Sequence, residues 1–437
     1  MTVLKFGGSC LTSQSSLNKV LEFVKNYPNP IIVVSALSGV TDSLIDAANS
    51  GGDIDGIIAR HYIKLPEGIE VNYYRELNEK VNVLKALLTI YSTNRNSKFL
   101  ESHIQSFGER FSALMLKYFL ESNGIKSKNL ESEELGIKTF KGFNNAIIDS
   151  QSSIEPLKKV IGDTINEGSV PIITGYYGVD EQGHITLLGR NGSDYTAAFV
   201  ARALGEKEVV LFKDVPGFFT ADPKKVKNPD FVSYVSFDQA YELSSYGAKI
   251  VHPYAVLEAR KGGARIVIKD FNDGKTGTII SETNGDKIFV TSKRKLSILR
   301  IIVPDASNIS GILFNILNKF SENGINIIQN FTSFSVLNII ISRDNLMDAE
   351  RVLSTFSRVI EYKVLHQNAC IISVVGNFSI QTQNRIHLMI LELSKKYPDK
   401  IYFSNISSPG ISIYLAADED IEEDLVRTIH EMVGNGL

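Results

Sequence analysis

Residues 3–9 read VLKFGGS, a short apolar run that ends at a lysine and continues at once into two glycines. This pattern predicts a buried strand with a tight turn at its carboxyl end. Paired glycines let backbone N–H groups approach a phosphate, and Lys5 would add a compact positive charge. A plain turn between strand and helix, with an exposed lysine, would produce the same pattern, so the motif alone leaves both interpretations open.

Similar runs alternate with helical patterns through the first 285 residues, which predicts a mostly parallel sheet in a three-layer α/β/α fold. The predicted strands are 3–6, 31–36, 170–174, 184–188, 209–212 and 265–269. Residues 50–120 show helical spacing instead and are expected to form a helical excursion over the sheet. Ligands of such sheets bind beyond the carboxyl ends of the strands, so we expect the functional site there.

A strand-helix-strand-strand-helix order occurs twice after residue 285, once in 296–359 and once in 370–433. Such a duplication predicts two similar small α+β units of ferredoxin-like type. Residues 284–295 are polar and read as a linker. The predicted domains are therefore 1–285, 294–368 and 369–437.

Composition narrows the function. The 437 residues are 43% hydrophobic and 22% charged, with a formal net charge of -3, so a nucleic-acid partner is not expected. The sequence has no long apolar run and no signal-like start, which predicts a cytoplasmic protein without a membrane partner. Two distant cysteines, Cys10 and Cys370, support neither a disulfide framework nor a cysteine zinc site.

Two further loops follow predicted strands. Residues 35–41 (SALSGVT) lead into a helix expected near Asp42, and residues 188–196 (LGRNGSDYT) place Arg190 before an alanine-rich helix. Helix N-termini suit anions, and the arginine fork fits a carboxylate. Ordinary capping by Thr41 or Asp42 would also explain the first loop, whereas a purely structural cap would not need the arginine.

Three more segments carry candidate residues, each with a structural alternative. Residues 213–223 (KDVPGFFTADP) could hold a nucleoside or simply form a type II turn. Lys249, in residues 246–253 (YGAKIVHP), suits a second phosphate lysine or a charge at a helix C-terminus. Glu109, in residues 106–110 (SFGER), could bind an amino group or form a surface ion pair.

In this order the motifs resemble those of the aspartate kinases, within the amino acid kinase family, across essentially the whole chain. The duplicated C-terminal units resemble the paired ACT domains that these kinases carry for regulation and dimerisation. The resemblance implies a monofunctional enzyme that uses ATP and Mg²⁺ to convert L-aspartate to 4-phospho-L-aspartate, the first step towards lysine, threonine and methionine. It also implies a homodimer or dimer of dimers through the ACT domains, with an amino-acid effector bound to them.

The resemblance also implies roles for individual residues. The catalytic residues would be Lys5, Asp194 and Lys249. Aspartate would be bound by Ser35, Thr41, Glu109, Arg190, Gly192 and Ser193, with Glu109 at the α-amino group and Arg190 at the α-carboxylate. ATP would be bound by Lys5, Gly7, Gly8, Ser9, Lys213, Asp214, Phe219, Asp222, Lys224 and Lys249. A carboxylate with a pKa of about 4 is already ionised at neutral pH, so no general base is expected.

Several positions depart from the family pattern. Asn191 replaces a glycine, Cys10 a hydroxyl residue and Phe219 a tyrosine. Ile328 and Phe334 stand where lysine-sensitive relatives have acidic residues, which predicts weak or altered feedback by lysine. Two other functions stay open. One is a related kinase acting on glutamate or another acid, against which the ACT tail and the GE helix argue. The other is a non-catalytic amino-acid sensor, which would not need all of Lys5, Arg190, Asp194 and Lys249.

Overall fold

The computed structural model describes residues 1–95, 97–140, 142–283, 285–304, 309–406 and 411–434. The chain divides into two compact units. The N-terminal unit comprises Met1–Phe218, Ser233–Phe237 and Ile250–Thr283. The C-terminal unit comprises Phe219–Val232, Asp238–Lys249 and Asn284–Leu437.

The strands before residue 282 are short. In chain order they are β1 (Thr2–Phe6), β2 (Pro30–Val34), β3 (Ser127–Leu130), β4 (Thr139–Phe140), β5 (Ile147–Ile148), β6 (Val170–Thr174), β7 (Tyr177–Val179), β8 (Ile185–Leu187), β9 (Glu208–Lys213), β10 (Phe218–Phe219), β11 (Phe231–Val232), β12 (Tyr234–Ser236), β13 (Arg265–Asp270) and β14 (Thr276–Ser281). Within the described residues, the main sheet has eight strands in the order β12-β14-β13-β9-β1-β2-β6-β3. Its neighbouring strands run parallel except β13 and β14, which confirms the predicted mostly parallel sheet.

Five of the six predicted strands lie in this sheet. The exception is 184–188, which forms β8 and pairs antiparallel with β7 in a separate two-stranded ladder. Sequence reasoning missed β3, whose residues (SKNL) are mostly polar because it is the edge strand of the main sheet. The central strands are the easier ones to recognise: β2 is buried along its whole length, since helices cover both of its faces.

The helices before residue 270 form the outer layers and the predicted excursion, apart from Phe237–Ser245, most of which belongs to the C-terminal unit. They are α1 (Gln14–Lys25), α2 (Val40–Ser50), α3 (Ile54–Ala59), α4 (Glu67–Thr93), α5 (Lys98–Ser122), α6 (Ser150–Asn166), α7 (Gly192–Leu204), α8 (Phe237–Ser245) and α9 (Pro253–Gly262). Leu4 and Phe6 pack with α1, α2 and α5 in one apolar cluster. Alternate residues of a strand face opposite sides of the sheet. Lys5 accordingly points the other way, towards α7, which contacts β1 and β9.

The C-terminal unit repeats one small topology. Its strands are β15 (Phe289–Ile302), β16 (Ile327–Thr332), β17 (Val336–Ser342), β18 (Glu361–Val375), β19 (Ile401–Ile406) and β20 (Ser412–Asp418), and its later helices are α10 (Ile309–Glu322), α11 (Leu346–Ser354), α12 (Ile380–Lys396) and α13 (Glu422–Gly434). Within the described residues, the six strands build one antiparallel sheet in the order β16-β17-β15-β18-β20-β19. The twice-repeated element order expected from the sequence is present.

The two repeats interleave through β15 and β18. Leu296–Ile302 pairs with the first half of β18, whereas Phe289–Lys293 pairs with its second half, Ile371–Val375. The predicted linker at 284–295 is therefore wrong from Phe289 onward, and Asn284 lies outside the described residues. The segment looked like a linker because its side chains are polar, but ladder hydrogen bonds come from the backbone and need no apolar side chains.

Each repeat has its own apolar core. Leu299, Ile316 and Leu353 belong to the core of the first repeat. Val290 and Leu425 belong to the core of the second, so the early half of β15 packs with the later repeat. Among the helices of the described residues, none combines the length and the apolarity needed to cross a membrane.

Candidate active site

Two lysines converge on one buried aspartate at the carboxyl ends of the central strands. Lys5 Nζ lies 2.9 Å from Asp194 Oδ1, and Lys213 Nζ donates a hydrogen bond of 2.8 Å to Oδ2. Lys5 comes from β1 and Lys213 from the end of the neighbouring parallel strand β9, while Asp194 lies in the first turn of α7. The grouping follows from topology, because parallel strands bring their carboxyl ends to one edge.

The charges of this cluster do not cancel. Burial alone would raise the pKa of Asp194, but the ammonium groups of Lys213 and Lys5 outweigh it and hold that pKa below its ordinary value. Burial lowers the pKa of Lys213, and the repulsion from Lys5 adds to this, although Asp194 opposes both. One carboxylate facing two lysines leaves a buried positive excess, which suits an anion such as a phosphate group.

The two glycines of residues 3–9 differ in how much space a side chain would have. A Cβ on Gly8 would lie 2.2 Å from the carbonyl oxygen of Ala36, so the two loops can approach only if residue 8 has no side chain. A Cβ on Gly7 would lie 3.6 Å or more from its neighbours, the second of which is Lys5 Nζ. Gly7 precedes a short 3₁₀ helix, Gly8–Leu11, which contains Ser9.

The loop at residues 35–41 ends in a helix that no side chain caps. Helix α2 begins at Val40 after Gly39, which adopts a left-handed φ of 77° and makes no side-chain cap hydrogen bond. Capping by Thr41 or Asp42, the alternative left open by the sequence, is therefore wrong. Ser35 follows β2 directly and donates its backbone N–H to Phe6 at 3.2 Å, which fixes this loop beside Lys5.

Glu109 is a buried carboxylate with one oxygen in use. It is only 3% exposed, so the alternative of a surface ion pair is wrong. Its Oε1 accepts a hydrogen bond of 2.9 Å from the backbone N–H of Ala36, whereas its Oε2 has no partner among the described residues. Burial raises the pKa of Glu109 to about 8. A donor with positive charge would satisfy the second oxygen and favour the ionised form.

The turn before α7 contains the predicted aspartate-binding arginine. Asn191 adopts a left-handed φ of 61°, a conformation that asparagine tolerates better than most residues, which explains why it can replace a glycine here. Arg190 precedes it and is exposed, and Gly192 and Ser193 form the buried start of the helix.

Sequence reasoning missed Tyr176. This residue has a positive φ of 77°, a strained conformation for a bulky side chain, and its hydroxyl donates to Gln105 at 2.9 Å. Burial raises its pKa, and the nearby charge of Glu109 adds to this effect. The available signal was its place directly after Thr174 and Gly175, where β6 ends. The partnership of Lys213 with Asp194 was also missed, since nothing in residues 213–223 indicates where that lysine points.

Of the remaining predicted site residues, Asp214 is exposed and directly follows Lys213 at the end of β9. In the C-terminal unit, Phe219 packs edge-on against Phe231, with ring centroids 5.5 Å apart, and Asp222 accepts the backbone N–H of Lys224 at 2.9 Å. The exposed Lys249 belongs to the C-terminal unit and lies in the turn after α8, and its catalytic role stays a prediction.

His252 has a structural role. Its Nδ1 accepts the backbone N–H of Tyr254 at 3.1 Å and so caps helix α9. Burial lowers its pKa to about 4, which keeps the ring neutral at physiological pH. Among the residues that the structure describes, no group of three or more histidine, cysteine or acidic side chains could hold a metal ion.

Comparison with known proteins defines the class. The profile of the amino acid kinase family matches residues 1–270, and the chain belongs to that family. It is 27% identical to the aspartokinase of Rickettsia felis, with 97% of each chain covered. It is 29% identical to aspartokinase 1, chloroplastic, of Arabidopsis thaliana, over 86% of this chain and 70% of that protein.

The solved structures extend the likeness to the whole fold. Aspartokinase III of E. coli in complex with aspartate and ADP superposes with a TM-score of 0.83 and 20% identity, covering 99% of both chains. At this identity the likeness concerns the fold. It confirms an α/β kinase domain followed by an α+β C-terminal region.

Proposed function

We propose that this protein is a monofunctional aspartate kinase, which transfers the γ-phosphoryl group of ATP to the side-chain carboxylate of L-aspartate. The observation that carries the proposal is the pairing of a buried cationic cluster, Lys5, Asp194 and Lys213, with the half-satisfied carboxylate of Glu109. The first suits a phosphoryl group and the second an ammonium group. Full-length relatives named aspartokinase support the same reading.

The reaction needs positioning and charge neutralisation more than proton transfer. An ionised carboxylate oxygen of aspartate attacks the γ-phosphorus, an O–P bond forms, and the bond to the bridging oxygen of ADP breaks. No proton has to leave the nucleophile, because the side-chain carboxyl of aspartate has a pKa of about 4 and is already ionised at neutral pH. Lys5 and Lys213 stabilise the charge on the transferring group, and Asp194 holds both ammonium groups in place.

Aspartate would be bound through its α-ammonium group and its α-carboxylate. Glu109 Oε2 accepts from the α-ammonium group, and Arg190 binds the α-carboxylate through its planar fork. The remaining contacts come from the loop and helix starts that follow the strands: Ser35, Thr41, Gly192 and Ser193. We add Tyr176 to this set, because the charge of Glu109 contributes to the raised pKa of its hydroxyl.

The residues present fit the phosphates of a nucleotide. Gly7 and Gly8 leave the backbone accessible beside Lys5 Nζ, and the cluster carries the positive excess that phosphates require. Mg²⁺ would be held by the phosphates of ATP with one or two carboxylates, and it would neutralise charge on the transferring group. Asp194 is engaged by two lysines, so the exposed Asp214 is the better candidate ligand.

The C-terminal unit is proposed to regulate the enzyme. Its repeats, 294–368 and 369–437, would act as ACT domains that bind an amino-acid effector and form the homodimer or dimer of dimers. Separate apolar cores in the two repeats support this division. We also propose that residues 1–285 form the catalytic domain and that the protein is cytoplasmic. Light scattering of the purified protein measures its mass and so tests the proposed homodimer or dimer of dimers.

One assay tests the activity. Purified protein is incubated with MgATP, hydroxylamine and either aspartate or glutamate, and the hydroxamate of the acyl phosphate is measured. Hydroxamate should form with aspartate and not with glutamate. A Lys5→Ala variant should lose turnover, and undiminished turnover in that variant would refute the role assigned to the cluster.

A further inference from the structure

The segment Phe219–Val232, which contains the predicted ATP residues Phe219, Asp222 and Lys224, is anchored in the C-terminal unit. Ala221 and Val226 are each 4% exposed and share an apolar core with residues of α12, β20 and α13. We call this segment the nucleotide loop. The conformation of its backbone therefore depends on packing against the second repeat.

One hydrogen bond joins the start of this loop to the last helix. Thr220 Oγ1 lies 2.9 Å from His430 Nε2 on α13. The backbone of Thr220 is fixed as well: its N–H donates to Asp230 at 2.9 Å, and its carbonyl accepts from Val290 at 2.8 Å. Thr220 lies one position after Phe219 and two before Asp222, so this bond acts where the loop would meet the nucleotide.

The direction of the bond follows from the other partner of the hydroxyl. Thr220 Oγ1 already accepts the backbone N–H of Asp230 at 3.0 Å. Its own hydrogen is then best donated to Nε2 of His430, which requires the neutral ring with its proton on Nδ1. Burial lowers the pKa of His430, which favours that neutral form.

A second contact fixes the middle of the loop to the start of α13. Lys225 Nζ donates to Glu422 Oε1 at 2.6 Å and to Ser292 Oγ at 2.8 Å. Glu422 is fully buried, and truncating one partner of a buried charge pair is costly. Helix α13 therefore holds the nucleotide loop at two points, Thr220 and Lys225, that lie on opposite sides of Asp222.

We propose that His430 is a positioning residue for ATP binding, and that helix α13 sets the affinity for the nucleotide through its bond to Thr220. The proposal rests on the function proposed above.

The test combines two single variants with their double variant. His430→Ala removes only this bond, whereas Thr220→Val also removes the acceptor of the Asp230 N–H. His430→Gln restores an acceptor at the position of Nε2. His387→Ala is the matched control, because His387 is also a half-buried helix histidine but bonds only to Gln383 of its own helix α12 in the described structure. Steady-state kinetics with each substrate varied, and calorimetric titration of ATP, are measured on the full-length protein.

Loss of one neutral hydrogen bond predicts a rise of about 3- to 10-fold in the KM and Kd for ATP in each single variant. The double variant should resemble Thr220→Val, since that substitution already removes the bond to His430. His430→Gln should recover most of the affinity, while kcat and the KM for aspartate stay within about two-fold of the unmodified protein.

Several results would overturn the proposal: an unchanged ATP affinity in His430→Ala and Thr220→Val, additive losses in the double variant, or an equal loss in His387→Ala. Should His430→Ala fail to fold, Thr220→Val and His430→Gln give the same decision.

ATP titration separates this proposal from the activity. A protein that binds ATP but does not phosphorylate aspartate refutes the proposed function, whereas the titrations still decide the role of His430.

Discussion

Replacing Glu109 by glutamine should increase stability and reduce aspartate binding at the same time. The pKa of Glu109 is raised by burial from an ordinary 4.5 to about 8. The folded protein therefore holds a proton on this group that the unfolded chain releases, and stability falls as the pH rises between these two values. At about 1.36 kcal/mol per pH unit, the full cost above the folded pKa is about 5 kcal/mol.

Glutamine removes this titration and keeps the acceptor for the N–H of Ala36. Its amide hydrogens would take the place of Oε2, which costs about 1–3 kcal/mol if they find no partner. The expected net result without substrate is a gain of about 2–4 kcal/mol at about pH 9, which becomes a loss of about 1–3 kcal/mol at about pH 4. Urea unfolding at a series of pH values measures both.

The same substitution should raise the KM for aspartate. Removing one partner of a buried hydrogen-bonded charge pair costs at least about 2 kcal/mol, which corresponds to about 30-fold or more. The KM for ATP should stay within about two-fold, and the hydroxamate assay measures both constants. Glu121→Gln serves as control, since Glu121 lies on the same helix but is only partly buried. An unchanged KM for aspartate, or a stability difference that does not grow with pH, would refute this reasoning.

Three further outcomes are expected. Lys213→Met should lower kcat about 30- to 1,000-fold, because it removes one of the two cations on Asp194, and an unchanged kcat would contradict a role for Lys213 in phosphoryl transfer. Gly8→Ala should reduce stability by about 1–3 kcal/mol or more in urea unfolding, because its Cβ would overlap a neighbouring carbonyl, whereas Gly7→Ala should cost less than about 1 kcal/mol; equal costs would speak against the loop contact. Lysine titrations should show weak inhibition, because an exposed Phe334 replaces an expected acidic residue, and strong inhibition at sub-millimolar lysine would contradict this expectation.

The parts of the fold that the sequence could predict are those with strong local patterns. Strands such as β2, buried on both faces, are continuous apolar runs, and the repeated element order after residue 285 survives in the structure. The edge strand β3 carries polar residues and could not be recognised. The early half of β15 is held by backbone pairing to a strand far along the chain, and pairing at that distance leaves no local signal.

The site was predictable as a set of residues but not as a network. Lys5 and Asp194 stood in recognisable motifs, whereas the convergence of Lys213 on the same carboxylate depends on the register of β9 beside β1. Glu109 looked like a surface residue because acidic side chains are seldom buried without a partner. Its burial comes from the close packing of α5 on the loop after β2, where a Cβ on Gly108 would lie 2.6 Å from Ala36 Cβ.

The interleaved repeats have a consequence for how the chain is made. During synthesis, Phe289–Lys293 leaves the ribosome before the whole first repeat, and its partner Ile371–Val375 follows roughly 80 residues later. At about 5–20 residues per second, that delay is roughly 4–16 s. The first repeat can fold in this interval, while the early strand waits with an unpaired edge. Ribosome-bound intermediates that end near residue 365 should accordingly be the most prone to aggregate, and those extended past β20 should be protected.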